Sequence, residues 1–189
     1  GAGLLDAYGA VAALALPPTI SITRAPEPLS RNRRPAIEFR ASRPVAFTCA
    51  VDGGAPQACA SPFTVPAALR DGRHGIAVTG TDAAGRAGSS GTASFVIDTK
   101  RPRTKIVKHP RKLVRTHRRK VRESFRFRSN EAGATFVCRV DRGLQRFCGR
   151  RFSRRFGEGR HTVRVRARDR AGNVDRSPAV FRFRVKRLG

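Results

Sequence analysis

The 189 residues carry 40 lysines and arginines against 13 acidic residues, a net charge of +27, with four cysteines, no methionine and no tryptophan. That balance points to a polyanionic partner such as nucleic acid, a phosphate-rich wall polymer or an anionic glycan. No window reaches the roughly 18 consecutive apolar residues that a membrane-spanning helix needs. The charge is lopsided, because residues 1–99 hold nine basic and seven acidic side chains while residues 100–189 hold 31 and six. The length suits two small domains of about 80–90 residues, a size at which one core gives marginal stability and covalent staples are common. Beginning on Gly1 and lacking methionine, the chain reads as a fragment or a processed product.

Residues 1–16, GAGLLDAYGAVAALAL, space Leu4, Leu5, Tyr8, Val11, Ala12 and Leu16 at helical intervals. Pro17 and Pro18 end the pattern, so a short N-terminal helix is expected. Ala13-Leu14-Ala15 fits a signal-peptidase site, but no basic segment precedes it, and Asp6 and Tyr8 interrupt the apolar run. Gly1-Ala2-Gly3-Leu4-Leu5-Asp6-Ala7-Tyr8, followed by Ala10-Val11, resembles the G-x-G-x-x-(D/N)-A-x-x-A stretch that closes the catalytic domain of subtilisin-like serine proteases. The resemblance implies that residues 1–17 are the last helix of such a domain and that its Asp-His-Ser triad lies upstream. Nothing in this chain replaces that triad, so no catalytic residue and no cofactor is expected here. Gly91-Thr92-Ala93-Ser94 resembles the family's nucleophile turn only superficially and sits at a predicted turn-to-strand junction.

From Pro18 onward the chain repeats itself. Phe47-Thr48-Cys49-Ala50-Val51-Asp52 returns as Phe136-Val137-Cys138-Arg139-Val140-Asp141, and each first cysteine has a partner ten positions on, Cys59 and Cys148. Asp71-Gly72-Arg73-His74 returns as Glu158-Gly159-Arg160-His161, and Asp82-Ala83-Ala84-Gly85 as Asp169-Arg170-Ala171-Gly172. Between these landmarks apolar and polar residues alternate, as in Phe125 and Phe127, Val163, Val165 and Ala167, and Phe181, Phe183 and Val185. Alternation is the period of a half-buried strand, and Gly- and Asp-rich turns separate the segments. The pattern F-x-C-x-V-D…C…(D/E)-G-R-H…D-x-A-G resembles the bacterial immunoglobulin-like repeats of secreted and surface proteins. It implies an all-β chain of two tandem antiparallel β-sandwiches, residues 18–99 and 100–189, at an extracellular or cell-surface address.

The alternation places Phe47, Cys49 and Val51 on one strand face, and Phe136, Cys138 and Val140 on another. A partner ten residues on, past a Gly-containing turn, suits a cross-strand disulfide, so the expected pairs are Cys49–Cys59 and Cys138–Cys148. Zinc sites prefer ligand pairs two to four residues apart, which these gaps do not offer, while free buried thiols remain the alternative. Closing so short a loop contributes about 2–3 kcal/mol and implies an oxidising compartment.

His74 and His161 recur beside the same glycine and read as scaffold. Asp52, Asp141, Asp82 and Asp169 read as turn residues that accept backbone N–H bonds. Calcium at Asp82 or Asp169 is the rival reading, but no dense acidic cluster in the sequence supports a metal site. The basic run over residues 100–122 reads as a linker and edge strand rather than a nucleic-acid arm.

The arginine-rich strands near 161–168 and 179–186 should pair as a hairpin. Arg164, Arg166, Arg168, Arg182, Arg184 and Lys186 would then form one outward cationic lattice, suited to phosphates and other anions. Repeat 1 has Ala77, Thr79 and Thr81 where repeat 2 has Arg164, Arg166 and Arg168, so the fold does not require the arginines. No outward aromatic is evident for base stacking, which argues against base-specific recognition. Repeat 1 is therefore expected to act as a neutral spacer and repeat 2 as the polyanion-binding module. The alternative is a structural surface protein with no ligand and no protease parent.

Overall fold

The alternation expected of short strands is what the chain adopts. A computed structural model describes residues 16–189 as strands and turns with no helix, and so with no helix able to cross a membrane. The N-terminal helix and the subtilisin-like motif fall outside the described residues, apart from Leu16, which is not helical. The chain divides into two units, Gly1–Ile97 and Asp98–Gly189.

Unit 1 contains β1 (Ile20–Arg24), β2 (Leu29–Ser30), β3 (Ala36–Ala41), β4 (Ala46–Val51), β5 (Gln57–Ala58), β6 (Phe63–Thr64), β7 (Gly72–Thr81) and β8 (Gly91–Ile97). They form a three-stranded sheet, β1-β3-β6, and a five-stranded sheet, β2-β8-β7-β4-β5. Unit 2 contains β9 (Thr104–Lys108), β10 (Leu113–Thr116), β11 (Val121–Ser129), β12 (Thr135–Val140), β13 (Arg146–Cys148), β14 (Arg151–Phe156), β15 (Gly159–Arg168) and β16 (Ala179–Arg187). Its sheets repeat the plan as β14-β11-β9 and β10-β16-β15-β12-β13.

The sheets are not wholly antiparallel. In each unit the first edge segment breaks at proline, Pro26 and Pro28 in unit 1 and Pro110 in unit 2, and the continuation joins the other sheet. There it runs parallel to the last strand, β2 beside β8 and β10 beside β16. Proline cannot donate to a sheet ladder and fixes φ, which makes it a natural point for that crossover. The basic run over residues 100–122 thus supplies an edge strand to each sheet of unit 2, β9 and β10.

The inward residues of both sheets meet in one core per unit. Unit 1 buries Ile37, Phe39, Cys49, Ile76, Val78, Phe95 and Ile97. Unit 2 buries Phe125, Phe127, Phe136, Cys138, Val163, Val165, Phe183 and Val185, with Phe125 ringed by Phe152, Phe156, Phe181 and Phe183. Each fully buried side chain of this size contributes about 1.5–3 kcal/mol of transfer free energy.

Both expected disulfides are present, Cys49–Cys59 and Cys138–Cys148, each with 5.8 Å between Cα atoms. The bridge is diagonal, not directly cross-strand as the spacing suggested. Cys148 stands opposite Phe136, while Cys138 stands opposite Arg146. Both cysteines still point inward, because positions two apart on a strand share a face.

Candidate anion-binding surface

The repeated motifs account for the scaffold first. In unit 1 the His74 Nδ1 lies 2.7 Å from Asp52 Oδ2, its Nε2 lies 2.8 Å from the Arg70 carbonyl oxygen, and the Gly75 N–H donates to Asp52 Oδ1. Unit 2 repeats this with His161, Asp141, the Gly157 carbonyl and the Thr162 N–H. Asp52 and Asp141 also hold left-handed backbones, φ 54° and 53°. They are turn residues, as expected, and also the anchors of their histidines, a link of about 20 residues that the sequence did not reveal. The Asp52 hydrogen bond raises the His74 pKa above its ordinary value against the opposing effect of burial, helped by the Arg70 carbonyl and the Asp52 charge. For Asp52, burial pushes upward, but the His74 and Gly75 hydrogen bonds outweigh it and hold the carboxyl below its usual range.

Asp82 and Asp169 open the D-x-A-G turns, whose glycines sit at φ 79° and 91°, a region that side-chain-bearing residues seldom occupy. Asp82 Oδ1 accepts the Ala84 and Arg86 N–H groups, and its Oδ2 meets Arg86 Nε at 3.0 Å and Arg43 Nη1 at 3.8 Å. The Arg86 N–H bond is the largest influence lowering the Asp82 pKa, followed by opposing burial and then the Arg86 side chain.

The hairpin pairing of β15 with β16 is as expected, and its register redistributes the arginines. Arg160 faces Arg184, Thr162 faces Arg182, and Arg164 faces Val180. On its other side Arg164 faces Arg139 of β12, and Arg166 faces Val137. All six expected residues share the outward face, but Arg164, Arg166 and Arg168 lie toward one end and Arg182, Arg184 and Lys186 toward the other. Arg139 and Arg160 complete the lattice, and Arg115 of β10 adds a cation beside Lys186. Register decided these additions, and no local pattern in the sequence carries register between distant strands.

The same register in unit 1 puts Ala50 opposite Ala77, Thr48 opposite Thr79, Gly75 opposite Ser94 and Arg73 opposite Val96. Five outward positions, Ala50, Ala77, Thr79, Ser94 and Val96, are thus arginine in unit 2: Arg139, Arg164, Arg166, Arg182 and Arg184. The inward partners stay apolar, Ile76 and Val78 matching Val163 and Val165. In unit 1 the Thr48 and Thr79 hydroxyls bond at 2.6 Å, where Val137 and Arg166 stand in unit 2.

Arg164 and Arg166 are half-buried, and the other arginines of this face are exposed. Among the described residues, no ion pair joins any arginine of this face to a carboxylate. Val137, Arg139, Gln145, Arg164, Arg166 and Pro178 line a shallow depression of about 260 Å³. Beside it, Phe147 of β13 is 73% exposed and stands opposite Val137. An outward aromatic therefore exists, contrary to the expectation. A three-residue strand between Gln145 and Gly149 is too short to show alternation.

The opposite sheet carries a second lattice, which the sequence reading also missed. Arg126 stands between Arg151 and Lys108, Arg122 opposite Arg155, and Arg128 opposite Lys105. Both outward faces of unit 2 are cationic.

No family model matches the chain, and no curated protein does. Solved structures do. The fibronectin(III)-like modules of CbhA from Clostridium thermocellum align at 16% identity and a TM-score of 0.54, covering 89% of this chain and 95% of theirs. A bacterial ice-binding adhesin, described for its retention on the host cell surface, aligns at 15% identity and a TM-score of 0.52, covering 91% of this chain and 65% of its own. At such identities the likeness establishes the fold, tandem fibronectin-III-like or immunoglobulin-like modules.

Proposed function

We propose that the chain is a non-catalytic extracellular or cell-surface region in which unit 2 binds an anionic polymer and unit 1 is a neutral spacer. The observation that carries this reading is the replacement, at five register-matched outward positions, of small or neutral residues by arginines that pair with no carboxylate among the described residues, over a preserved core. Like charges opposite one another weaken a sheet, so Arg139 against Arg164 and Arg160 against Arg184 are a cost that folding alone does not explain. Guanidinium forks without carboxylate partners are suited to bidentate contacts with phosphate, sulfate or carboxylate. The wall polymers, anionic glycans and nucleic acids considered from composition share this chemistry. Recognition by this lattice is by charge density and not by base sequence. Two disulfides support an oxidising, extracellular address. The proposal extends to a subtilisin-like protease as the parent, supported by the motif over residues 1–11 alone.

The test is binding of the full chain to wall teichoic acid, heparin and double-stranded DNA across a salt series. Log affinity should fall linearly with log salt, by about 0.9 per DNA phosphate contacted. Serine at Arg164, Arg166 and Arg182 together should lower affinity and flatten the slope. No binding of any of the three at physiological salt overturns the anchor and leaves both units as spacers.

A further inference from the structure

Three carboxylates converge in the most basic part of the molecule. Asp98, Glu131 and Asp169, all in unit 2, each offer an oxygen, and the three oxygens lie within 4.8 Å of one another. Asp169 is 8% exposed, and its Oδ2 is buried without a hydrogen-bond partner. Its Oδ1 accepts the Asn173 N–H at 2.8 Å, so the side chain is held with the orphan oxygen turned away from its own turn. Asn173 also clamps the second ligand, its Nδ2 donating to the Asp98 carbonyl at 2.8 Å. Asp98 Oδ1 accepts the Lys100 N–H, and the Glu131 N–H donates to Ser129 Oγ, so both neighbours sit on short, closed turns.

Unit 1 shows what this position requires. There the corresponding aspartate, Asp82, has the guanidinium of Arg86 on its Oδ2 and that of Arg43 close by. In unit 2 the residue matching Arg86 is Asn173, and the loop matching Arg43 carries Glu131 beside Ala132. Two cations have been exchanged for none, and two further carboxylates have been added. Among the described residues, none of the ion pairs involves Asp98, Glu131 or Asp169, although 31 basic side chains lie in residues 100–189.

We infer that Asp98, Glu131 and Asp169 form a binding site for one divalent cation, Ca²⁺ by preference, which takes the place that Arg86 fills in unit 1. The donors are all oxygen, with no histidine or cysteine, which selects a hard cation. Two oxygens on one Ca²⁺ at about 2.4 Å can be at most about 4.8 Å apart, and the three oxygens fall within that bound. Ca²⁺ accepts irregular coordination, whereas Mg²⁺ demands a near-octahedral shell, so an irregular set of three carboxylates favours Ca²⁺. Three carboxylates this close repel one another, and a cation between them would remove that repulsion. Its partial exposure and three protein ligands fit the weak class of extracellular calcium modules, with Kd about 10⁻⁴–10⁻³ M.

The experiment is calorimetric titration of the full chain with CaCl₂, together with melting curves in EDTA, 5 mM Ca²⁺ and 5 mM Mg²⁺. The expected result is one Ca²⁺ per chain and a rise of about 5–10 °C in the melting temperature of unit 2, with a smaller response to Mg²⁺. Glu131→Gln is the diagnostic variant, because a purely structural role and a ligand role predict opposite signs. It should melt higher than the native chain in EDTA, through relief of repulsion, and lose the calcium response. Asp98→Asn, at a half-exposed position, should lose the response as well. No heat and no melting shift in the native chain at 5 mM Ca²⁺ overturns the inference, as does an unchanged calcium response in Glu131→Gln.

Discussion

Units 1 and 2 share strand order, disulfide, histidine clamp and D-x-A-G turn, yet one is almost neutral and the other carries most of the net charge. The shared parts are those that close the fold. His74 and His161 tie the start of the long strand to the turn after the cysteine strand, and the bridges lie at equivalent points beside the core. The differing parts lie on outward faces and beside the D-x-A-G turn, where geometry leaves side-chain choice free. Where unit 1 uses a threonine pair and small residues, unit 2 uses arginine. Where unit 1 neutralises Asp82 with guanidinium groups, unit 2 surrounds Asp169 with acid. The fold constrains the inside, and the outside has been rewritten toward charge.

The largest effects should come from the cores and should fall on one unit at a time. Phe125→Ala removes the ring at the centre of the aromatic cluster and should cost unit 2 about 3–5 kcal/mol. Calorimetry should then show the transition of unit 2 moving far down while that of unit 1 stays. A single shifted transition would show that the units do not melt separately.

Replacing Cys138 and Cys148 together by alanine comes next, at about 2–3 kcal/mol for a loop of this length. The matching change at Cys49 and Cys59 should cost unit 1 a similar amount, read from denaturant midpoints. A large inequality would break the equivalence of the two staples.

A smaller effect is expected from pH. The folded pKa of His74 is raised above its unfolded value of about 6.5. Its contribution is therefore complete below that pH and is lost as pH rises through the higher folded value. Asp52 is held low, so its contribution is present above about 3.9 and is lost as pH falls through its lower folded value. Unit 1 should melt a few degrees lower at pH 8.5 than at pH 6, and His74→Gln should remove that slope.

The smallest effect has the opposite sign. Arg164→Ala restores the unit 1 residue and removes a like-charge cross-strand pair, so it should stabilise unit 2 by about 0.2–1 kcal/mol at low salt. The gain should shrink in 0.5 M NaCl, where the screening length falls to about 4 Å. Destabilisation at both salt concentrations would mean that the packed arginine stem outweighs the repulsion.

Much of the scaffold was legible from residue order. The strict alternation in Phe125 to Arg128 and Val163 to Arg168 places one set inward and the other outward before any register is known. The cysteine spacing indicated the bridges. What depends on distant pairing was not legible. Arg139 meets Arg164, and Asp98 meets Glu131 and Asp169, only once strand register and turn lengths are fixed. Phe147 was missed because its strand is too short to alternate. The second cationic face was missed because Arg151, Arg154 and Arg155 do not follow a simple alternation, and β14 pairs with β11 only in the folded unit.

The arginines on the face shared by β12, β15 and β16 are proposed to bind an anionic polymer. The most direct measurement compares two variants of the full chain that lose equal charge. One carries the unit 1 residues, Arg139→Ala, Arg164→Ala and Arg166→Thr, and the other carries Arg122→Ser, Arg126→Ser and Arg128→Ser on the opposite sheet. Affinity for heparin and wall teichoic acid is then read at 150 mM salt. At least a tenfold loss is expected for the first variant, about 1.4 kcal/mol, and a smaller loss for the second. Unchanged affinity in the first variant, or an equal loss in both, would contradict a dedicated binding face.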